Sequence, residues 1–342
     1  MGSDTAFHLF YWMVPDMKKL IYLSIFVLLL LNAAVVFAQT LEVEQLLTLD
    51  FEDPVQRMVW NETGDVLTLV SKSAVKRVSV TDTQEPQTYD IGGKSWNFST
   101  VSEAGVVAVL SEDWDAIYLY DPEAPEKAMQ VIEPGFRILS VCVSKDGSQV
   151  LADSADQIRT VVYSTEDGSE TYDLTGFSTA APVYDSTLSA DGNYVTWHSR
   201  GTFAVQKVAD QSFGSTISLW DFASGYELSP DSSALAVGMI NDDYENGAVL
   251  FFEPETGREL GRTILGETAP SFLSYSDDGS VLWAADAKTV YSIDPVSFEV
   301  TSETAAADEN DDESRIWRIA SAPDGQSAAV LLKGGELSLI RK

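Results

Sequence analysis

One phrase recurs seven times along this chain: a short β-forming run, a Ser or its substitute, a polar pair containing Asp or Gly, then a second apolar run. It reads Val59-Trp60-Asn61-Glu62-Thr63-Gly64, then Val101-Ser102-Glu103-Ala104-Gly105, then Val143-Ser144-Lys145-Asp146-Gly147. Leu188-Ser189-Ala190-Asp191-Gly192 and Leu228-Ser229-Pro230-Asp231-Ser232 follow. Tyr275-Ser276-Asp277-Asp278-Gly279 and Ser321-Ala322-Pro323-Asp324-Gly325 complete the set. With Ser232 counted as a substituted Gly, the steps between turns are 41, 42, 45, 40, 47 and 46 residues. A period of this length means that each unit is one supersecondary element, able to bury its apolar faces only against its neighbours.

The units share an inner order. A strand precedes each turn, where Gly supplies the positive φ of a tight hairpin. A second strand follows, as at Val66 to Ser71, Gln149 to Asp153, Tyr194 to His198 and Val281 to Ala285. A third includes Ile117 to Tyr120, Ile158 to Tyr163, Val249 to Phe252 and Val290 to Ile293, and a weaker fourth closes the unit. No long stretch carries apolar residues at helical spacing. The pattern predicts an all-β chain, a seven-bladed β-propeller of four-stranded antiparallel blades. The seventh unit stops at Leu337 to Arg341, its third strand, while Leu41 to Phe51 is strand-like and precedes the first unit. That N-terminal strand is expected to complete blade seven and close the ring, leaving no open seam.

Residues 39 to 342 thus resemble WD40-type repeats, on Ser229-Pro230-Asp231-Ser232, Ser276-Asp277-Asp278-Gly279, Pro323-Asp324-Gly325 and the third-to-fourth-strand turn Phe252-Glu253-Pro254-Glu255-Thr256-Gly257. The Gly-His pair of intracellular WD40 blades is absent. The one strand-ending Trp-Asp pair, Trp220-Asp221, falls by repeat phase on a fourth strand. Secreted bacterial WD40-like propellers are the nearer match. The resemblance implies a rigid binding platform and supplies no activity.

The N-terminus carries an address of the same kind. Met17-Lys18-Lys19 opens a basic segment, Leu20 to Leu31 is apolar, and Val36 and Ala38 stand at −3 and −1 before Gln39. This is a secretory signal pattern over residues 1 to 38, with 1 to 16 an upstream start-site artefact; an uncleaved anchor is the alternative. The expectation is a secreted or periplasmic bacterial protein, monomeric, without stable membrane insertion after cleavage. The formal net charge of −32, from 53 acidic and 21 basic residues, opposes binding to nucleic acid. The single Cys142 excludes an internal disulfide framework and a multi-cysteine zinc site.

Catalytic constellations are scarce. Beyond the signal segment only His198 remains, in Val195-Thr196-Trp197-His198, so a Ser-His-Asp triad would have to use that imidazole. Asp191-Gly192 are adjacent, unlike the spacing of a sialidase Asp-box. A quinoprotein motif fails because Gly261 stands where a docking Trp belongs. No cofactor is expected, with calcium the one open possibility, since it takes oxygen ligands alone. Asp242, Asp243 and Glu245 in one loop, and Asp308, Asp311 and Asp312 in another, are its candidate ligands.

Two further sets of candidates remain. First strands line a propeller's channel, and alternation turns every second residue inward. The inward positions, five and seven before each turn residue, include Arg57, Thr100, Ser140, Cys142, Asp185, Thr187, Glu227, Ser274, Arg318 and Ala320. Ring closure puts Arg57 and Arg318 on one wall, with Asp185 and Glu227 opposite; such a polarised channel suits a zwitterionic or carboxylate ligand. The second set is aromatic: Trp114, Phe136, Tyr184 and Tyr244 sit in or beside loops on one rim, where a protein or peptide partner would dock. The leading expectation is a non-catalytic module presenting rim loops to a protein, peptide or envelope partner. A lactonase- or hydrolase-type enzyme using channel carboxylates, and a small-molecule or calcium sensor, are the alternatives.

Overall fold

The Ser of the recurring phrase is what ties most of the turns together. In the computed structural model, the Ser144 hydroxyl donates to Asp146 at 2.7 Å and accepts the Gln149 N–H at 3.0 Å. Asp146 accepts the Ser148 N–H at 3.0 Å. The same circuit forms at Ser189 with Asp191, Ser229 with Asp231 and Ser276 with Asp278. The turn residue is left-handed throughout, with φ of 72° at Gly147 and 58° at Ser232, which takes the place a glycine fills elsewhere. In blade one Asn61 does the work of Ser, its Oδ1 accepting the N–H groups of Asp65 and Val66 at 3.1 and 3.0 Å. In blade two Ser102 accepts the Val106 N–H at 2.9 Å, and in blade seven, where Ala322 stands in for Ser, Asp324 still accepts the Gln326 N–H at 2.9 Å, so local hydrogen bonds set where the hairpins reverse.

The structure describes residues 39–81, 85–91, 98–121, 124, 127–154, 159–174, 185–199, 201–219, 223–240, 245–308 and 311–342. Residues 1–38, expected to be a signal segment, lie outside them with Tyr184, Asp242, Asp243, Tyr244 and Trp220-Asp221, as does the side chain of Asp185. Among the described residues no helix is long and apolar enough to cross a membrane.

Seven antiparallel blades form in chain order, each with its first strand facing the axis. Those first strands are Arg57–Trp60, Phe98–Val101, Ile138–Val143, Asp185–Leu188, Ala223–Leu228, Phe272–Tyr275 and Ile316–Ser321. Blade five shows the full complement, Ala223–Leu228, Leu235–Ile240, Gly247–Phe252 and Glu259–Ile264. Blade seven takes its outer strand from the N-terminus, as the strand count requires. Glu42–Thr48 pairs antiparallel with Glu336–Arg341, with Glu42 opposite Arg341 and Thr48 opposite Glu336. The seam tightens at the end of that pair, where Leu49 donates to the Gly335 carbonyl at 2.8 Å. A Cβ on Gly335 would stand 2.1 Å from the Leu49 carbonyl oxygen, so only glycine fits there.

Apolar packing follows the ring. Seven buried clusters form, one at each junction of neighbouring blades. The cluster that joins blade seven to blade one sets Trp60, Leu67 and Leu69 against Ala320, Leu331 and Leu337. Trp60, Trp197 and Trp283 are buried in this way, at 3%, 1% and 0% exposure, so these three are core; removing one costs about 3–5 kcal/mol. Trp60 also donates its indole N–H to the Ala320 carbonyl at 3.0 Å, pinning blade one to blade seven. Thr40–Lys342 is one compact unit.

Candidate functional site

Because each first strand ends at a fixed turn, the residues five and seven places before it face the axis at fixed depth. A cavity of about 620 Å³ opens there, lined by every residue of the predicted inward set but Asp185, which holds its strand position opposite His198. A second space of about 140 Å³ lies nearer the hairpin turns, and Arg57, Cys142, Glu227 and Tyr275 line both.

The two arginines share a wall, as ring closure dictates, and they are held differently. Arg318 donates Nε to the Gln56 carbonyl at 3.0 Å and Nη1 to the Trp317 carbonyl at 2.6 Å. Its guanidinium lies over the rings of Trp317 and Phe272, with 5.2 and 5.6 Å to the centroids. Burial, and then the nearby charge of Arg57, bring its pKa down to about 10, so it stays a cation at neutral pH. Arg57 is exposed to the channel, and among the described residues it has no hydrogen bond or ion pair.

Glu227, on blade five, faces this wall. Burial pushes its carboxyl up to about 7, against the opposing pull of Arg57 and the backbone N–H of Tyr275. Tyr275 is 7% exposed, and its hydroxyl has no hydrogen-bond partner among the described residues. Burial, then the charges of Glu227 and Asp231, raise the pKa of that phenol, so it is a neutral hydroxyl with an unused donor.

At the turn end, a crossbar spans the channel. Lys145 Nζ lies 3.1 Å from Glu103 of blade two and 2.5 Å from Asp277 of blade six. Burial works against its charge, but the hydrogen bond to Asp277 and the charge of Glu103 more than restore it, and the ammonium sits above its ordinary pKa. Glu103 is raised, since burial outweighs Lys145. These three residues occupy the position two before the turn residue, where blades four, five and seven carry Ala190, Pro230 and Pro323. Sequence reasoning passed over them; charges of both signs at one repeat phase were the signal available.

A buried carboxylate stands behind the channel wall. Asp153, 1% exposed, accepts hydroxyl bonds from Ser140 at 2.6 Å, from Thr160 at 2.5 Å and from Ser186 of blade four. Trp197 donates to Thr160 at 2.9 Å. Burial outweighs these donors and holds the Asp153 pKa above its ordinary value. With its oxygens taken up, this group ties blade three to blade four and does not face a ligand.

The remaining candidates fare unevenly. Phe136 is 7% exposed in the core between blades two and three, beneath the Arg159 guanidinium at 5.5 Å, and so is no rim anchor. Trp114 packs partly against that same core and lies under Arg137 at 5.8 Å. His198 stacks on Phe203 with centroids 4.6 Å apart, and its Nε2 accepts the Gly201 N–H at 3.4 Å. Burial lowers its pKa, so the ring is neutral. The Phe298 ring covers Gly261, leaving no room for a docking Trp.

In the acidic loop after blade six, two carboxylates are paired with basic side chains. Asp311 caps a short 3-10 turn, and Asp312 engages Arg315 at 3.3 Å and also Lys333. Glu313 pairs with Lys333 at 2.9 Å, while Asp308 and Glu245 are exposed. Among the described residues, no three His, Cys, Asp or Glu side chains converge on a metal position.

No family model matches the sequence, and no curated protein matches it at a significant level.

Proposed function

We propose that the protein is a secreted, WD40-like binding module, non-catalytic, whose ligand site is the channel and whose ligand is a small charged molecule. The observation that carries this reading is the unpartnered Arg57 in a cavity of about 620 Å³, a volume typical of small-molecule sites. Arg57 offers a five-donor fork with nothing yet to bind, Arg318 doubles the charge of its wall, and Glu227 sets a preferred orientation. The Lys145 crossbar makes the channel a cup, reached from the loop rim. A protein or peptide partner docking on rim aromatics has less support, because Phe136 is core and Trp114 is half covered.

The test is a thermal-shift screen of the full chain against small carboxylates, amines, amino acids and neutral sugars, repeated on R57Q/R318Q. A native-state ligand must raise the melting temperature. Shifts by charged molecules that vanish in the double variant support the reading, and shifts that survive there overturn it.

One observation favours a hydrolase as the second reading. Glu103 and Glu227, both raised in pKa, line the lower space together, and a carboxylate near 7 suits general-base chemistry. Hydrolysis of model lactones and esters that is lost in E227Q would establish it.

A further inference from the structure

Two opposite charges face each other across this channel and do not meet. Arg57 belongs to blade one and Glu227 to blade five, on opposite sides of the ring. Each lies within the other's field, yet they form no ion pair among the described residues. Both line the cavity between the two walls. Long side chains of opposite sign close on each other when backbone geometry allows, and here the blades hold their bases apart.

We infer, on the reading of the channel as the ligand site, that the ligand is a compact zwitterion, a free amino acid or short ω-amino acid, with its carboxylate on Arg57 and its ammonium on Glu227. Each half of that molecule meets its complement. A carboxylate alone would satisfy Arg57 but leave Glu227 facing like charge, whereas an amine alone would satisfy Glu227 and be repelled by Arg57 and Arg318. The Tyr275 hydroxyl, buried and unpaired beside Glu227, adds a neutral donor to the acidic end. Arg318 is already bound to two backbone carbonyls, so it stiffens the basic end more than it contacts ligand.

Proton linkage gives the inference a signature that distinguishes it. The groups facing Glu227 are Arg57 of blade one, Glu103 of blade two, Lys145 and Cys142 of blade three, His198 of blade four, Tyr275 of blade six and Arg318 of blade seven. Of these, burial lowers His198 and raises Glu103 and Tyr275; Glu103 is held by Lys145 at 3.1 Å, which leaves Glu227, at about 7, as the carboxyl open to a ligand that changes state near neutral pH. An ammonium binds the ionised form and expels its proton. Zwitterion affinity therefore falls by about tenfold between pH 8.5 and pH 6. A simple carboxylate behaves oppositely, because protonation of Glu227 removes a repulsion.

The experiment is calorimetric titration of the full chain with glycine, β-alanine, 4-aminobutanoate, butanoate and butylamine at pH 8.5 and pH 6. At least one of the three zwitterions is expected to bind at pH 8.5, about tenfold more tightly than butanoate or butylamine, and to weaken at pH 6. In E227Q its affinity should drop and its pH dependence flatten, and R57Q should abolish binding. The pH dependence of the unmutated chain remains informative even where a variant fails to fold. Butanoate binding as tightly as any zwitterion, and strengthening at pH 6, overturns the inference and leaves the channel reading standing. If no zwitterion binds, the inference falls. The charged-molecule screen then decides whether the channel reading falls with it.

Discussion

Lys145 and Asp277 sit 2.5 Å apart although they are 132 residues apart in sequence and belong to blades three and six. The contact is a chord across the ring, where neighbouring blades otherwise touch only through their shared walls. Both partners are about one-third exposed or less, so their attraction is screened less than that of a surface pair.

A double-mutant cycle on K145M and D277N should therefore give a coupling energy of about 1–2 kcal/mol. The exposed pair Lys207–Glu255, at 2.7 Å, is the control, with a clearly smaller coupling expected because solvent screens it. Urea denaturation of the four single variants and two doubles checks this. Equal couplings for the two pairs would mean that the crossbar is only a surface contact.

Glu227 makes stability depend on pH in a direction opposite to most acids. Its folded pKa of about 7 is above the ordinary 4.5, so the folded state holds a proton that the unfolded chain has already released. The stabilising contribution is present below pH 4.5 and is lost as pH rises through 7. E227Q, neutral at every pH, should match the parent near pH 4.5 and exceed it by about 3 kcal/mol at pH 8.5. Melting curves across that range test it; a parent chain equally stable to the variant at pH 8.5 would contradict the burial of this carboxyl.

The repeat phase was legible because Ser, Asp and Gly each perform a local task at each turn, and alternation carried that phase inward to Arg57, Glu227 and Arg318. Contacts that depend on a third element were not legible. The period shows that Lys145 faces the axis, but not that it reaches blade six. Phe136 read as a rim aromatic because a connection between blades is polar in sequence, while its burial depends on the neighbouring sheet. Asp312 read as a metal ligand because its cation, Lys333, lies 21 residues further on.

Ser232 holds a left-handed φ of 58° where the six other units place glycine. A side chain pays for that conformation in steric strain, and glycine does not. Ser232→Gly should therefore stabilise the protein by about 0.5–1 kcal/mol, less the entropy glycine adds to the unfolded chain. The neighbouring Ser229–Asp231 circuit at 2.7 Å stays intact in the variant, so the change in denaturation midpoint reports the backbone alone. A lower midpoint would show that the Ser232 side chain contributes more than its strain costs.

Asp153 anchors hydroxyls from Ser140 and Thr160 in its own blade and from Ser186 in the next. Removing the carboxylate leaves these donors buried without an acceptor, and the Thr160–Trp197 bond loses its support. Asp153→Ala should cost about 3 kcal/mol, whereas Asp153→Asn, which keeps one acceptor oxygen and the shape, should cost about half as much. Because Ser140 and Ser186 also line the channel cavity, the alanine variant should weaken any channel ligand as well. Urea midpoints rank the two variants. If alanine proves no worse than asparagine, the hydroxyls find other acceptors and the network does not tie the blades.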